Sequence, residues 1–251
     1  MTHFRRLLTL LMICSLWAAA GIELRADVAA DFDVANRLYD DGKFQEAATA
    51  YERLRSAGQT SVALEFNLAN SWFKAQRLGL AIAHYHRAKH LAPRDSDILE
   101  NLAFVRTKVG KGSMPEPWYR EWLGWLRTLE WIGLASIVTW FYAGVLFAGR
   151  TRPLWGEHLR GYRVVTGLAC AVTVLIAVYA IWVDQAHRVG VVILREAKAR
   201  FSPLEESKEA FSLTDGVEVW VMETQKGWAL VEAPNQARHG WMQIQHVHVV
   251  E

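Results

Sequence analysis

Two long apolar runs between Leu129 and Val183, joined by a short loop, constrain the fold more than any other stretch of the chain. The first, Leu129–Ala148, carries one carboxylate, Glu130, at its start and no other charge; the second, Val164–Val183, carries none. A helix of 20 residues rises about 30 Å, the thickness of a bilayer's hydrocarbon core, so both runs are expected to span a membrane. The competing reading is a buried helical hairpin in a soluble protein, but runs this long and uncharged are rare in globular cores. The loop Arg150–Arg163 is too short for anything but antiparallel neighbours. The parts before and after the pair are therefore expected on one side of the membrane. Arg150, Arg152, Arg160 and Arg163 stand against a single Glu157 in that loop, a bias that predicts a cytoplasmic loop. Neither run has an internal ionisable group, which argues against a channel or transporter. Gly144 and Gly167 offer points of close helix approach.

The segment before the runs begins with a secretory signature over residues 1–26. Arg5 and Arg6 precede the apolar core Leu7–Ala20, and Ala18-Ala19-Ala20 supplies small residues for cleavage. Export of the segment after residue 26 agrees with a cytoplasmic arginine loop. The expected location is a bacterial inner (cytoplasmic) membrane, with both soluble parts on the periplasmic side.

Residues 31–108 repeat with a period of 34. Phe32 recurs as Phe66, Ala35 as Ala69, Asn36 as Asn70, Tyr39 as Phe73, Ala47 as Ala81 and Tyr51 as Tyr85. Within each unit the apolar residues fall at helical spacing, in two helices broken near Gly42 or Arg77. The pattern resembles the tetratricopeptide repeat (TPR), with small alanines at 35, 47, 69 and 81 where paired helices approach and Pro93 at the end of a unit. Gln59 stands in place of that proline in the first unit. The resemblance implies an all-α solenoid over 27–112, whose concave face places Phe32, Asn36, Tyr39, Phe66, Asn70, Phe73 and Lys74 toward a partner. Two asparagines one repeat apart would hold the backbone of an extended peptide. Asparagine is also common there in unliganded repeats, so the position alone does not decide. Two units and a final helix are few for such a fold, so its open end is expected to be closed by another protein, the bilayer or the C-terminal module. His86 and His90, four apart on one helix face, read as part of a solvated basic surface rather than a metal pair.

After a glycine-bearing linker, Met114-Pro115-Glu116-Pro117 breaks any helix. Trp118, Trp122 and Trp125 then share one face, so residues 113–128 are expected to lie along the outer leaflet as an interfacial helix. The first span is expected at 129–149, the loop at 150–163 and the second span at 164–183. From residue 189 on, the pattern changes to period two. Val217, Val219 and Val221 share one strand face and Glu218, Trp220 and Met222 the other, with turns at Asp215-Gly216 and Lys226-Gly227. Residues 189–251 resemble a bacterial SH3-like (SH3b) domain, a small all-β barrel, on the Gly227-Trp228 and Gly240-Trp241 strand starts and on Ala197–Arg200 with Ser202-Pro203. Trp228 and Trp241 serve either as barrel core or as a ligand platform. The family implies cell-wall peptides or proteins as ligands. His246 and His248 share a strand face in this reading, with no carboxylate motif to make a metal site.

A net charge of +2 over 251 residues gives no strong field for nucleic acid. Cys14 and Cys170 both lie in apolar segments, so no disulfide joins the soluble parts. No nucleophile set, metal motif or phosphate loop stands in a recognisable context, so no catalytic residue, metal or cofactor is expected. The order of signal, TPR units, interfacial helix, two spans and SH3-like module resembles the BatE-like TPR proteins of bacterial Bat aerotolerance operons. Those operons also encode a MoxR-type ATPase and membrane-anchored von Willebrand A-type proteins. The resemblance implies a non-catalytic envelope scaffold, with those proteins, the lipid bilayer and peptidoglycan as partners. A cell-wall sensor working through the SH3-like module is the alternative.

Overall fold

The computed structural model describes residues 28–110, 122–151, 159–186, 188–233 and 238–250. The expected signal segment, the first part of the expected interfacial helix and the middle of the arginine loop lie outside these residues. Five helices come first: α1 (28–40), α2 (Phe44–Ser56), α3 (Val62–Lys74), α4 (Leu78–Leu91) and α5 (Ser96–Val109). From α2 to α5 each helix packs against the next, and α1 joins the same core through Ala35 and Leu38. Ala35, Ala47, Ala69 and Ala81 are fully buried, because a larger side chain there would hold the helices apart. Ser61 caps α3 by accepting from Leu64 N, and Asp95 caps α5 by accepting from the amides of Asp97 and Ile98.

The 34-residue period is carried into three dimensions. Lys43 N donates to Leu38 O at the α1–α2 turn, and Arg77 N donates to Trp72 O one period later. The left-handed residue in those turns is Gly42 (φ 77°) in the first unit and Gln76 (φ 60°) in the second. The edge-to-face ring pair of Phe32 with Tyr51 recurs as Phe66 with Tyr85.

Two further helices, α6 (Thr128–Thr151) and α7 (Leu159–Ala186), pack against each other along their length. Within them, Thr128–Thr151 and Arg160–Val183 are long and apolar enough to cross a membrane, and most of their side chains face outward. Both helices outrun the apolar stretches of the sequence. Gly167 lies against the Tyr142 ring, 3.3 Å from where its Cβ would stand, whereas Gly144 has no neighbour within 4 Å. A helical turn at 122–124 precedes α6. Trp131 Nε1 donates to Leu123 O, and both residues bury themselves against Ala177, Ala180 and Val183 of α7. Arg94, in the α4–α5 turn, pairs with Glu130 at 2.9 Å and ties the repeat to the start of α6.

Only residue 187 separates α7 from the first of seven strands. These are β1 (Arg188–Val192), β2 (Glu196–Arg200), β3 (Glu209–Thr214), β4 (Glu218–Gln225), β5 (Trp228–Glu232), β6 (His239–Gln243) and β7 (Val247–Val249). They form one antiparallel, open sheet in the order β3-β2-β6-β5-β4-β1-β7. It curls, so that Ala199 of β2 and Val247 of β7 share a core with Val219, Val231 and Met242. The β4–β5 hairpin turns at Lys226 (φ 48°) and Gly227 (φ 85°), two positive-φ positions that match a tight hairpin.

The sheet does not stand apart from the helices. Val191 belongs to the buried core of the repeat, and β1 and β7 lie against α4. The C-terminal module, one of the covers expected for the repeat, contacts it through α4. Helix α4 has no cap of its own at Arg77. Asp215, in the turn before β4, supplies one by accepting from Gly79 N at 3.1 Å. A Cβ on Gly79 would collide with the backbone carbonyl of Val192, so the docking requires glycine there.

Candidate functional site

Polar side chains gather at two places in the helical part. The first is a concave pocket of about 290 Å³ lined by Asn36, Tyr39, Asp40, Tyr51, Asn67 and Asn70. Helices α1 and α3 present the asparagines, and α2 presents Tyr51 from behind. Tyr51 Oη donates to Asn36 Oδ1 at 2.5 Å, and Asn67 Nδ2 donates to the same oxygen at 3.3 Å. One period later, Tyr85 Oη donates to Asn70 Oδ1. Burial pushes the Tyr51 hydroxyl up to about 12, against a smaller opposing pull from Asn67, so it remains a donor at neutral pH. Tyr85 is likewise pushed up by burial.

The consequence is a fixed amide orientation. Asn36 and Asn70 each have the carbonyl oxygen occupied by a tyrosine, which leaves their Nδ2 hydrogens for whatever enters the groove. Tyr39 adds a phenol whose ionisation is suppressed by burial and by Asp40 beside it. Such an array donates hydrogen bonds to carbonyl oxygens and accepts them at one carboxylate. It holds no nucleophile–base pair, and among the described residues no group of three or more His, Cys, Asp or Glu is arranged to hold a metal ion.

Of the residues read from the sequence, Asn36, Tyr39 and Asn70 come together here. Phe32 and Phe66 flank the pocket through their rings against Tyr51 and Tyr85. Phe73 pairs instead with Phe104 of α5, and Lys74 is exposed outside the lining. Trp228 is buried on β5 and Trp241 half-buried on β6; neither lines the pocket. Sequence reasoning does not single out Asp40, Tyr51 and Asn67 as lining residues. A signal for Tyr51 exists in the sequence, since Asn36–Tyr51 and Asn70–Tyr85 share one 15-residue spacing.

The second cluster lies where α4 and α5 meet the sheet, and it corrects the solvated basic face read for α4. His84 is fully buried and His86 nearly so; His90 alone is exposed. Glu218 of β4 is 1% exposed and accepts from Arg106 Nε at 3.0 Å and Nη2 at 2.8 Å. His86 Nε2 meets the same carboxylate. Burial pushes Glu218 up, but His86 and Arg106 outweigh it and hold the carboxyl at about 2. His84 bonds Glu65 Oε2 at 2.7 Å, while its Nε2 lies 3.1 Å from Glu52 Oε1 without hydrogen-bond alignment. Burial raises Glu52, and His84 and Arg55 override it to hold that carboxyl at about 2. The His248 ring of β7 lies tilted against His84, with centroids 5.5 Å apart. His246 lies in a 3-10 turn rather than on β7, so the two do not share a strand face. Glu218, matched by Arg106 and His86, ties the sheet to the helices.

No family model matches this chain, and a search of curated proteins finds no match either.

Proposed function

We propose that the protein is a non-catalytic, membrane-anchored scaffold whose helical repeat grips an extended segment of a partner protein. The observation that carries this reading is the concave pocket with its two asparagines, each locked by a tyrosine one helix behind. Hydrogen-bond donors spaced one repeat apart suit the carbonyls of an extended chain, and the flanking phenylalanines suit its apolar side chains. The 34-residue period supports assigning the helices to the TPR class, and the curled antiparallel sheet supports an SH3-like module. The order of elements supports kinship with the BatE-like proteins of Bat aerotolerance operons. On that kinship the partners are envelope proteins, von Willebrand A-type Bat proteins and a MoxR-type ATPase complex among them, met on the periplasmic side of the inner membrane.

The test is co-purification of tagged full-length chain extracted in mild detergent. A membrane protein that accompanies the wild type and is lost from the Asn36→Ala/Asn70→Ala double variant, with the variant's melting temperature preserved, supports the scaffold. Retention of every partner by the double variant rejects it. Side is tested by single cysteines at Ser56, His158 and Glu206 in a chain lacking Cys14 and Cys170. An impermeant thiol reagent should label 56 and 206 on intact cells, after outer-membrane permeabilisation, and spare 158. Cell-wall binding is the second reading, resting on the SH3-like resemblance and on Trp241, half-exposed on β6. Sedimentation of the solubilised chain with purified sacculi, abolished by Trp241→Ala, would favour it.

A further inference from the structure

The pocket that would grip the partner also carries a charge preference, which rests on and sharpens the peptide-binding reading. Asp40 is the one charged residue in its lining. No ion pair joins Asp40 to a cation among the described residues, and its side chain is exposed at the rim. Beside it in the lining stand Asn36 and Asn70, whose oxygens already accept from Tyr51 and Tyr85. Lys74, the one lysine among the repeat's expected concave positions, lies outside the lining. The arrangement disfavours an acidic side chain or a free carboxylate terminus, which would meet Asp40 with no cation to offset it.

We propose that the pocket selects an extended peptide segment bearing a lysine or arginine side chain, whose cationic head pairs with the Asp40 carboxylate while the Asn36 and Asn70 amides donate to its backbone carbonyls. The Tyr39 ring, held edge-on by Phe44 at 5.3 Å, provides an aromatic wall beside that carboxylate. The methylene stem of a basic side chain packs on such a wall while its head reaches the charge. An arginine would have the advantage of a two-pronged approach to the carboxylate.

The probe is a positional-scanning library of heptapeptides, acetylated at one end and amidated at the other. The central residue is fixed as Lys, Arg, norleucine or Glu and the flanks are randomised. Binding of each pool to the fluorescently labelled full chain in lipid nanodiscs is compared for the wild type, Asp40→Asn and Asn36→Ala/Asn70→Ala. The wild type should hold the Lys and Arg pools about fivefold better than norleucine, the scale of a part-exposed ion pair, with Glu weakest. Asp40→Asn, isosteric and at the surface, should erase that ranking. Equal binding of all pools, or a ranking that survives Asp40→Asn, overturns the charge preference and leaves peptide binding standing. An unacetylated norleucine pool that matches the Lys pool overturns the side-chain assignment, since the peptide's own amino terminus would then be the cation. If no pool binds better to the wild type than to the double asparagine variant, the peptide-binding reading falls and the charge preference with it.

Discussion

The two polar clusters of the helical part differ in how far they are open to water. Between helices and sheet, Glu218 receives three bonds from Arg106 and His86 and is shut from solvent. In the concave pocket, Asn36 and Asn70 accept at their oxygens from tyrosines and line an opening to water. A buried charge must be matched or it is costly, so the first cluster, in which Glu218 is met by two cationic partners, is a structural joint. A groove open to water can leave donors unmatched at little cost, and those donors are what a ligand meets. The contrast separates a polar cluster that holds the fold from one that can bind.

The largest expected effect is at the joint. Glu218→Ala leaves Arg106 and His86 facing each other without their counter-charge and should destabilise the chain by about 3–5 kcal/mol. Chemical denaturation measures the loss, and hydrogen exchange should localise it to α4 and β1 while α1 and α2 stay protected. A loss spread evenly over all helices would mean that the sheet is no separate joint.

Acid should open the same joint in two stages. Burial, with Arg87, His84 and Arg55 nearby and Glu52 opposing, holds His248 down at about 4. A histidine whose folded value lies below its unfolded one contributes stability that is complete above the unfolded value, near 6.5, and is lost as pH falls toward 4. The shift corresponds to about 3 kcal/mol. Glu218 and Glu52, both near 2, then lose their contribution between about 4.5 and 2. Melting temperature measured from pH 7 to 4 should fall in the wild type and much less in His248→Phe. Equal slopes would exclude His248 as the first group to act.

Gly79→Ala places a methyl against the Val192 carbonyl and should cost about 2 kcal/mol, near the middle of the range for overfilled sites, again read by denaturation. Tyr85→Phe sharpens the comparison most gently. It removes one hydrogen bond worth about 1 kcal/mol and lets the Asn70 amide turn. Its effect on peptide affinity should exceed its effect on stability. The reverse order would reduce the tyrosine to a core residue.

Much of this architecture is legible in the sequence because periodicity writes burial directly into it. Ala35 and Ala69, or Tyr51 and Tyr85, are small or aromatic at fixed offsets only if each occupies the same niche in successive units. The two apolar helices are legible for the same reason, since their length and lack of charge admit few alternatives. Glu218 is not. Alternation tells which residues share a strand face, but not what covers that face, and Glu218 would look the same in the sequence if it faced water. His84 and His86 mislead on the same ground, because nothing local announces that a strand 132 residues away will close over them. Asp40 is hidden too, since one more acidic residue among Asp31, Asp33 and Asp41 carries no pattern.

The packing of β1 against α4 has a mechanical meaning. The strand that follows the second apolar helix in the chain is clamped to the repeat along its side. A force on that strand passes through Asp215 and Glu218 into the repeat. A tug on the occupied groove would travel the opposite way, arriving at the strand.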